Sequence, residues 1–236
     1  MCLQVLVVCV TDPLPTLLLF SRMGSIGAWT WERILLIYAL AVTSFGLAES
    51  FCRGFDYFPF RMLQSGDFDR VLLRPRSVAL QVAGSYFHVH RLARAFSGLF
   101  VIFWTLNRQA VKMTPFNTAV LISSLAGGFI IYSGVFILSS GIAFFTIKAL
   151  DWIYILTNAS YQVTRVPMEY MPPLMRRAFT FVMPVLVISY YPAAVMCGWG
   201  ENAWTGFLPI PAGLVFMGFS AAVWKIGVKR YKSTGS

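Results

Sequence analysis

Residues 116–147 read FNTAVLISSLAGGFIIYSGVFILSSGIAFFTI, an apolar run with no charged side chain. Crossing about 30 Å of hydrocarbon takes about 20 helical residues, so Phe116–Ile147 is longer than one crossing requires. A transmembrane β-barrel would show short alternating segments instead. The run therefore predicts a membrane helix that is tilted, extends past the bilayer or is broken near Gly141.

Working outward, the 236-residue chain is 58% hydrophobic and 12% charged, about half the charge of a soluble domain. Five further spans are expected: Leu3–Phe20, Ile34–Phe51, Phe87–Leu106, Phe179–Cys197 and Trp204–Trp224. The first is the weakest, because Asp12, Pro13 and Pro15 sit at its centre, where a carboxylate and missing helix bonds are costly. It reads as a kinked or poorly seated helix, or as the product of a misplaced start. No charged n-region precedes it, since the first basic residue is Arg22, so it is not a secretory signal. The expected fold is an all-α integral membrane protein of about six transmembrane helices, forming a single domain over residues 1–236.

The formal net charge is +10. On a soluble chain that would suggest nucleic acid, but here the distribution follows the positive-inside rule. With the N-terminus in the cytoplasm, fifteen of the nineteen Lys and Arg residues fall in inside regions, among them Arg165, Arg176 and Arg177. Arg22, Arg33, Arg108 and Lys112 remain outside. Both termini are predicted to be cytoplasmic, with a lipid bilayer and no nucleic acid as surroundings.

Between the second and third spans lies a polar segment containing SGDFDRVLLRP, Ser65–Pro75. It has the grammar of a two-turn helix. Asp67 follows Gly66 and is placed to cap the N-terminus, with Asp69 in the first turn, where the helix dipole favours an anion. Arg74 falls in the last turn and Pro75 marks the stop. Phe68, Val71 and Leu72 share one face, with Arg70 and Arg74 on another. A helix this short does not hold itself together in water, so its apolar face must dock on the membrane, on neighbouring spans or on a partner.

Other patterns carry less. Ala119, Ser123 and Gly127, and Ser124 and Gly128, recur every four residues, a spacing that lets helices approach closely, within the chain or between subunits. Glu49 and Arg53 are spaced for an i, i+4 ion pair. His88 and His90, two residues apart, do not share a helix face, so they predict a basic interfacial patch with Arg91 and Arg94 rather than a metal site. The Gly198–Gly213 stretch, rich in Trp, Gly and Pro, suits an interfacial turn. Cys2, Cys9, Cys52 and Cys197 show no paired spacing, which predicts neither disulfides nor a metal centre. The nearest approach to a P-loop, GVKRYKST from Gly227, lacks the second glycine, so the chain is not expected to hydrolyse ATP.

Three stretches in order carry a resemblance: GFDYFPFRMLQSGDFDRVLLRPRSVALQ, then RRAFTFVMPVLVISYYPAAVMCG, then the terminal VWKIGVKRYKSTGS. They resemble the six-helix permeases of the ABC-2 transporter family, in the branch with a D-R-x-L-L-R-P segment. The resemblance covers roughly Ile26–Ser236 and departs at the front, where family members usually start with a longer cytoplasmic amphipathic helix. It implies a type V exporter-like permease fold in the inner (cytoplasmic) membrane of a bacterium. It further implies a second permease subunit, two copies of a separate ABC ATPase, and alternating access driven by ATP. The chain itself would bind no cofactor; ATP and Mg would sit on the partner ATPase. The segment 54–76 would contact that ATPase through Asp56, Gly66, Asp67, Phe68, Asp69, Arg70, Leu72, Leu73, Arg74 and Pro75. The alternatives are an ion-coupled secondary transporter, against which stands the lack of an internal repeat, and a non-transporting membrane scaffold. The substrate is not legible.

Overall fold

The computed structural model describes residues 29–87, 89–109, 111–146, 159–200 and 202–231, together with Leu14, Leu18 and Thr157. The architecture is all-helical. Helix α1 (Trp31–Phe58) continues through a π-helical turn at Pro59–Leu63. Two short helices follow, α2 (Phe68–Leu72) and α3 (Val78–Gly84), then α4 (Val89–Arg108) and α5 (Pro115–Thr146). After a helical stretch at 159–163, α6 (Pro173–Arg177) runs into a π-helical turn at Ala178–Val182. Helices α7 (Val185–Met196) and α8 (Pro209–Arg230) complete the chain.

Three of these are long and apolar enough to cross a membrane: Trp31–Leu63, Pro115–Thr146 and Pro209–Arg230. A fourth crossing is reached if Pro173–Val182 and Val185–Met196 count as one span bent by 96°. The expected first span, Leu3–Phe20, lies outside the described residues apart from Leu14 and Leu18. Where the third span is expected lies helix α4, 20 residues long, which is not among the helices apolar enough to cross; its arginines lower its hydropathy.

Contacts fix the relative directions. Gly46 of α1 abuts Ala95 of α4, and Thr43 abuts Gly98, so these two helices are antiparallel. Ser44 lies against Gly128, and the Ser140 hydroxyl donates to the Phe55 carbonyl, so α1 and α5 run the same way. Helix α7 opposes α5: Ser124 Oγ donates to the Ile188 carbonyl at 2.5 Å, and Gly206, beyond α7, meets Val120. Helix α8 is parallel to α5 along a close seam. Gly127, Gly134 and Gly141 face Pro209 and Gly213, Phe216 and Ser220, and Trp224 and Gly227 respectively. A side-chain carbon on Gly141 would stand 2.9 Å from the Trp224 backbone nitrogen, and one on Gly227 2.9 Å from the Gly141 carbonyl oxygen. Small residues here let two backbones meet, which replaces the absent hydrophobic drive between helices in lipid with close van der Waals contact.

Several expectations are corrected. The fifth span is not one helix over Phe179–Cys197. Pro184 supplies no N–H, and Met183 before it leaves the helical region at φ −124°, ψ 86°, as a residue preceding proline does. Helix α5 is unbroken at Gly141, which serves the seam with α8. Helix α1 runs past Phe51 to Leu63. Helix α8 starts at Pro209 rather than Trp204, because Ala203–Phe207 form a 3₁₀ turn in which the Asn202 side chain accepts from the Trp204 amide at 3.1 Å. Of the small residues expected to pack, Ser123, Ser124, Gly127 and Gly128 are buried but Ala119 is exposed. Arg165 lies over the Tyr38 ring at 4.3 Å, near the Trp31 end of α1 and away from the end that holds α2. It therefore lies away from the end of the bundle that holds Arg70 and Arg74.

Candidate functional site

The segment after α1 is built on a left-handed turn. Gly66 has φ +78°, a conformation glycine adopts without steric cost, and it turns the chain back so that α2 lies across the helix ends. Asp67 does not cap this helix. Its backbone is already helical at φ −66°, ψ −11°, with no side-chain cap bond. Instead its carboxylate accepts from Ser65 Oγ at 3.0 Å and pairs with Arg70 at 3.3 Å. That pair is largely exposed, so it adds little stability.

Phe68 holds α2 in place. It is fully buried, with ring centroids 5.1 Å from Phe58 of α1, 5.4 Å from Phe144 of α5 and 4.9 Å from Tyr231 just beyond α8. Phe58, Phe144 and Trp224 also contact one another at 5.1–5.3 Å. Each such aromatic pair contributes about 0.5–1.5 kcal/mol beyond simple burial. A single side chain thus ties α2 to three parallel helices at once. Asp69 is half-buried beside Tyr231, and burial together with this carboxylate raises the Tyr231 phenol above its ordinary value. Gln81 Nε2 of α3 donates to the carbonyls of Val71 and Arg76, at 3.2 and 3.1 Å, and clasps the loop between α2 and α3.

The outward side of the segment is different. Leu73 is 85% exposed and Leu72 41%, and Arg70, Arg74 and Pro75 are also exposed. The expected apolar face is therefore split: Phe68 and Val71 point inward, while Leu72 turns out with Leu73. Asp56 is not part of this ledge. It lies in the last turns of α1, where its carboxylate meets Arg53 Nε at 3.1 Å.

A second cluster lies along α1. Glu49 is buried and receives three guanidinium groups: Arg53 at 3.1 Å, Arg94 at 2.8 Å, and Arg91 in close contact. The i, i+4 pair with Arg53 is present, but Arg91 and Arg94 turn inward onto Glu49 instead of forming a lipid-facing patch. His88 and the side chain of His90 lie outside the described residues. The arginines also stack on aromatic faces, Arg94 over Phe45 at 5.7 Å and Arg53 over Tyr57 at 5.4 Å. Together these contacts let α4 lie against α1 with its charges shielded.

Sequence reading missed two features. Partners 42 and 45 residues apart, Glu49 with Arg91 and with Arg94, leave no local signal. The α5–α8 seam does leave one: Gly127, Gly134 and Gly141, and Gly213, Ser220 and Gly227, each recur every seven residues.

Residues 6–235 match the family described as ABC-2 family transporter protein. The chain belongs to the ABC-2 transporter family. The match reaches residue 6, so most of the front of the chain, which looks unrelated when read alone, falls within the ABC-2 pattern too. No curated protein and no solved structure matches the chain significantly. Members of the ABC-2 family are membrane components of transporters, and such components typically lack an ATPase site of their own. The multi-pass, all-helical architecture described above agrees with that membership.

Proposed function

We propose that the chain is the permease subunit of an ATP-driven exporter, with about six spans in an inner bacterial membrane and both termini in the cytoplasm. It pairs with a second permease subunit and with two copies of an ABC ATPase, which carry the ATP and Mg. Segment 54–76 is the docking element, and export follows alternating access. One observation carries this reading. Helix α2 presents Arg70, Leu72, Leu73 and Arg74 outward while Phe68 pins it to the ends of α1, α5 and α8. A pinned helix transmits displacement into spans, which a loose linker does not.

The test is recovery of a P-loop ATPase with the tagged chain from native membranes in mild detergent. The double variant Leu73→Ala, Arg70→Ala removes the exposed knob and one of the exposed charges without touching Phe68. If the two act as an interface hot spot, losing about 2 kcal/mol weakens association about 30-fold, while membrane insertion stays intact. Unchanged ATPase recovery would overturn the docking role.

A further inference from the structure

A groove of about 980 Å³ opens between α5, the bend from α6 to α7, and α8. Val135 and Leu138 form its floor, Thr180–Pro184 one wall, and Val215, Phe216 and Phe219 the other. The walls are bare: Phe181 is 78% exposed and Val215 77%. Such a trough on a membrane helix bundle is of the right chemistry for hydrocarbon, but hydrocarbon alone does not single out an occupant.

Charge does. Thr180 Oγ, in the groove wall, donates to the Arg176 carbonyl at 2.7 Å, which places the Arg176–Arg177 pair one helical turn from the groove. Both arginines are exposed and neither forms an ion pair among the described residues. The contrast with α4 is direct, since Arg91 and Arg94 there have Glu49, whereas α6 carries two neighbouring cations and no carboxylate. The 96° bend at Met183–Pro184 turns α6 away from the direction of α7. Basic residues beside a groove between membrane helices are what binds an anionic lipid headgroup.

We propose that this groove is a binding site for an anionic phospholipid, with an acyl chain along α5 and α8 and the phosphate on Arg176 and Arg177. The proposal concerns a bound lipid of the surrounding bilayer, not the transported cargo. It requires the chain to sit in a membrane but does not depend on ATPase docking.

The test uses the full chain, purified in detergent, with phosphatidylglycerol or phosphatidylcholine added and bound lipid counted by native mass spectrometry. Phosphatidylglycerol is expected to bind more tightly. The variant Arg176→Ala, Arg177→Ala should weaken it about 30-fold, each arginine being worth about a fivefold change at an anionic surface, and should leave phosphatidylcholine unaffected. Val215→Trp, which fills the groove from an exposed wall position, should lower binding of both lipids. Arg108→Ala, Lys112→Ala removes the same charge elsewhere and should change neither. Equal affinity for the two lipids overturns the proposal. So does a loss in the Arg108, Lys112 variant as large as in the Arg176, Arg177 variant, or a groove-filled protein that changes its oligomeric state and not its lipid. Circular dichroism confirms that each variant is folded.

Discussion

Replacing Phe68 with alanine tests how α2 is held. A helix of five residues has negligible stability of its own, so the free energy that keeps it formed comes from its anchor. Phe68 is fully buried against Phe58, Phe144 and Tyr231, and a truncation of this kind costs about 3–5 kcal/mol. At about 1.4 kcal/mol per tenfold, local opening should become about 10²-fold to about 4 × 10³-fold more frequent. The reporters are the Leu73 and Arg74 amides, which donate to the Asp69 and Val71 carbonyls at 3.3 Å each. Hydrogen–deuterium exchange in detergent reads them directly, with α1 and α5 amides as internal references. Phe68→Leu keeps most of the volume and should cost less than about 1.5 kcal/mol, about a tenfold change. A Phe68→Ala protein whose Leu73 and Arg74 amides change less than tenfold refutes the anchoring role. So does an unaltered protein in which they are unprotected from the start.

Two further outcomes follow from the packing. Glu49→Gln leaves Arg53, Arg91 and Arg94 facing a neutral amide and should cost about 3–5 kcal/mol of resistance to unfolding in denaturing detergent. Adding Arg91→Met and Arg94→Met should restore a large part of the loss, and no recovery would mean the cluster is not an electrostatic unit. Gly141→Ala pushes a methyl group against the Trp224 backbone and should destabilise by about 1–3 kcal/mol. Gly218→Ala, where the added carbon meets nothing within 4 Å beyond its own stretch of helix, should be neutral or slightly stabilising in the same assay.

Apolar length located the spans, because the cost of exposing a backbone to hydrocarbon is paid residue by residue along one helix. It did so well for α5, where the expected run and the helix share residues 116–146. It misplaced the end of α1, since Glu49, Arg53 and Asp56 look like the edge of a membrane until their mutual pairing is seen. The same limit explains α4: a hydropathy sum registers Arg91 and Arg94 but not the carboxylate that meets them. In the segment between α1 and α3 the helix and its anchor Phe68 were legible from spacing. The position of Leu72 was not, because a helix that ends at that residue no longer obeys the periodicity that assigned it a face. Pro184 was visible in the sequence, and its effect on the backbone of Met183 gives the bend that an apolar run conceals.

The seven-residue seam between α5 and α8 has a mechanical consequence. Its seats are about 10.5 Å apart at 1.5 Å per residue, so neither helix can slide along the other to the next seat without first separating from it. A single-residue insertion or deletion would turn every later seat by about 100° and unmesh the remainder. Substitutions at the seam are therefore graded in their effect, whereas changes in length are all-or-none. The two helices must travel as one beam, and whatever hinge the molecule uses lies elsewhere.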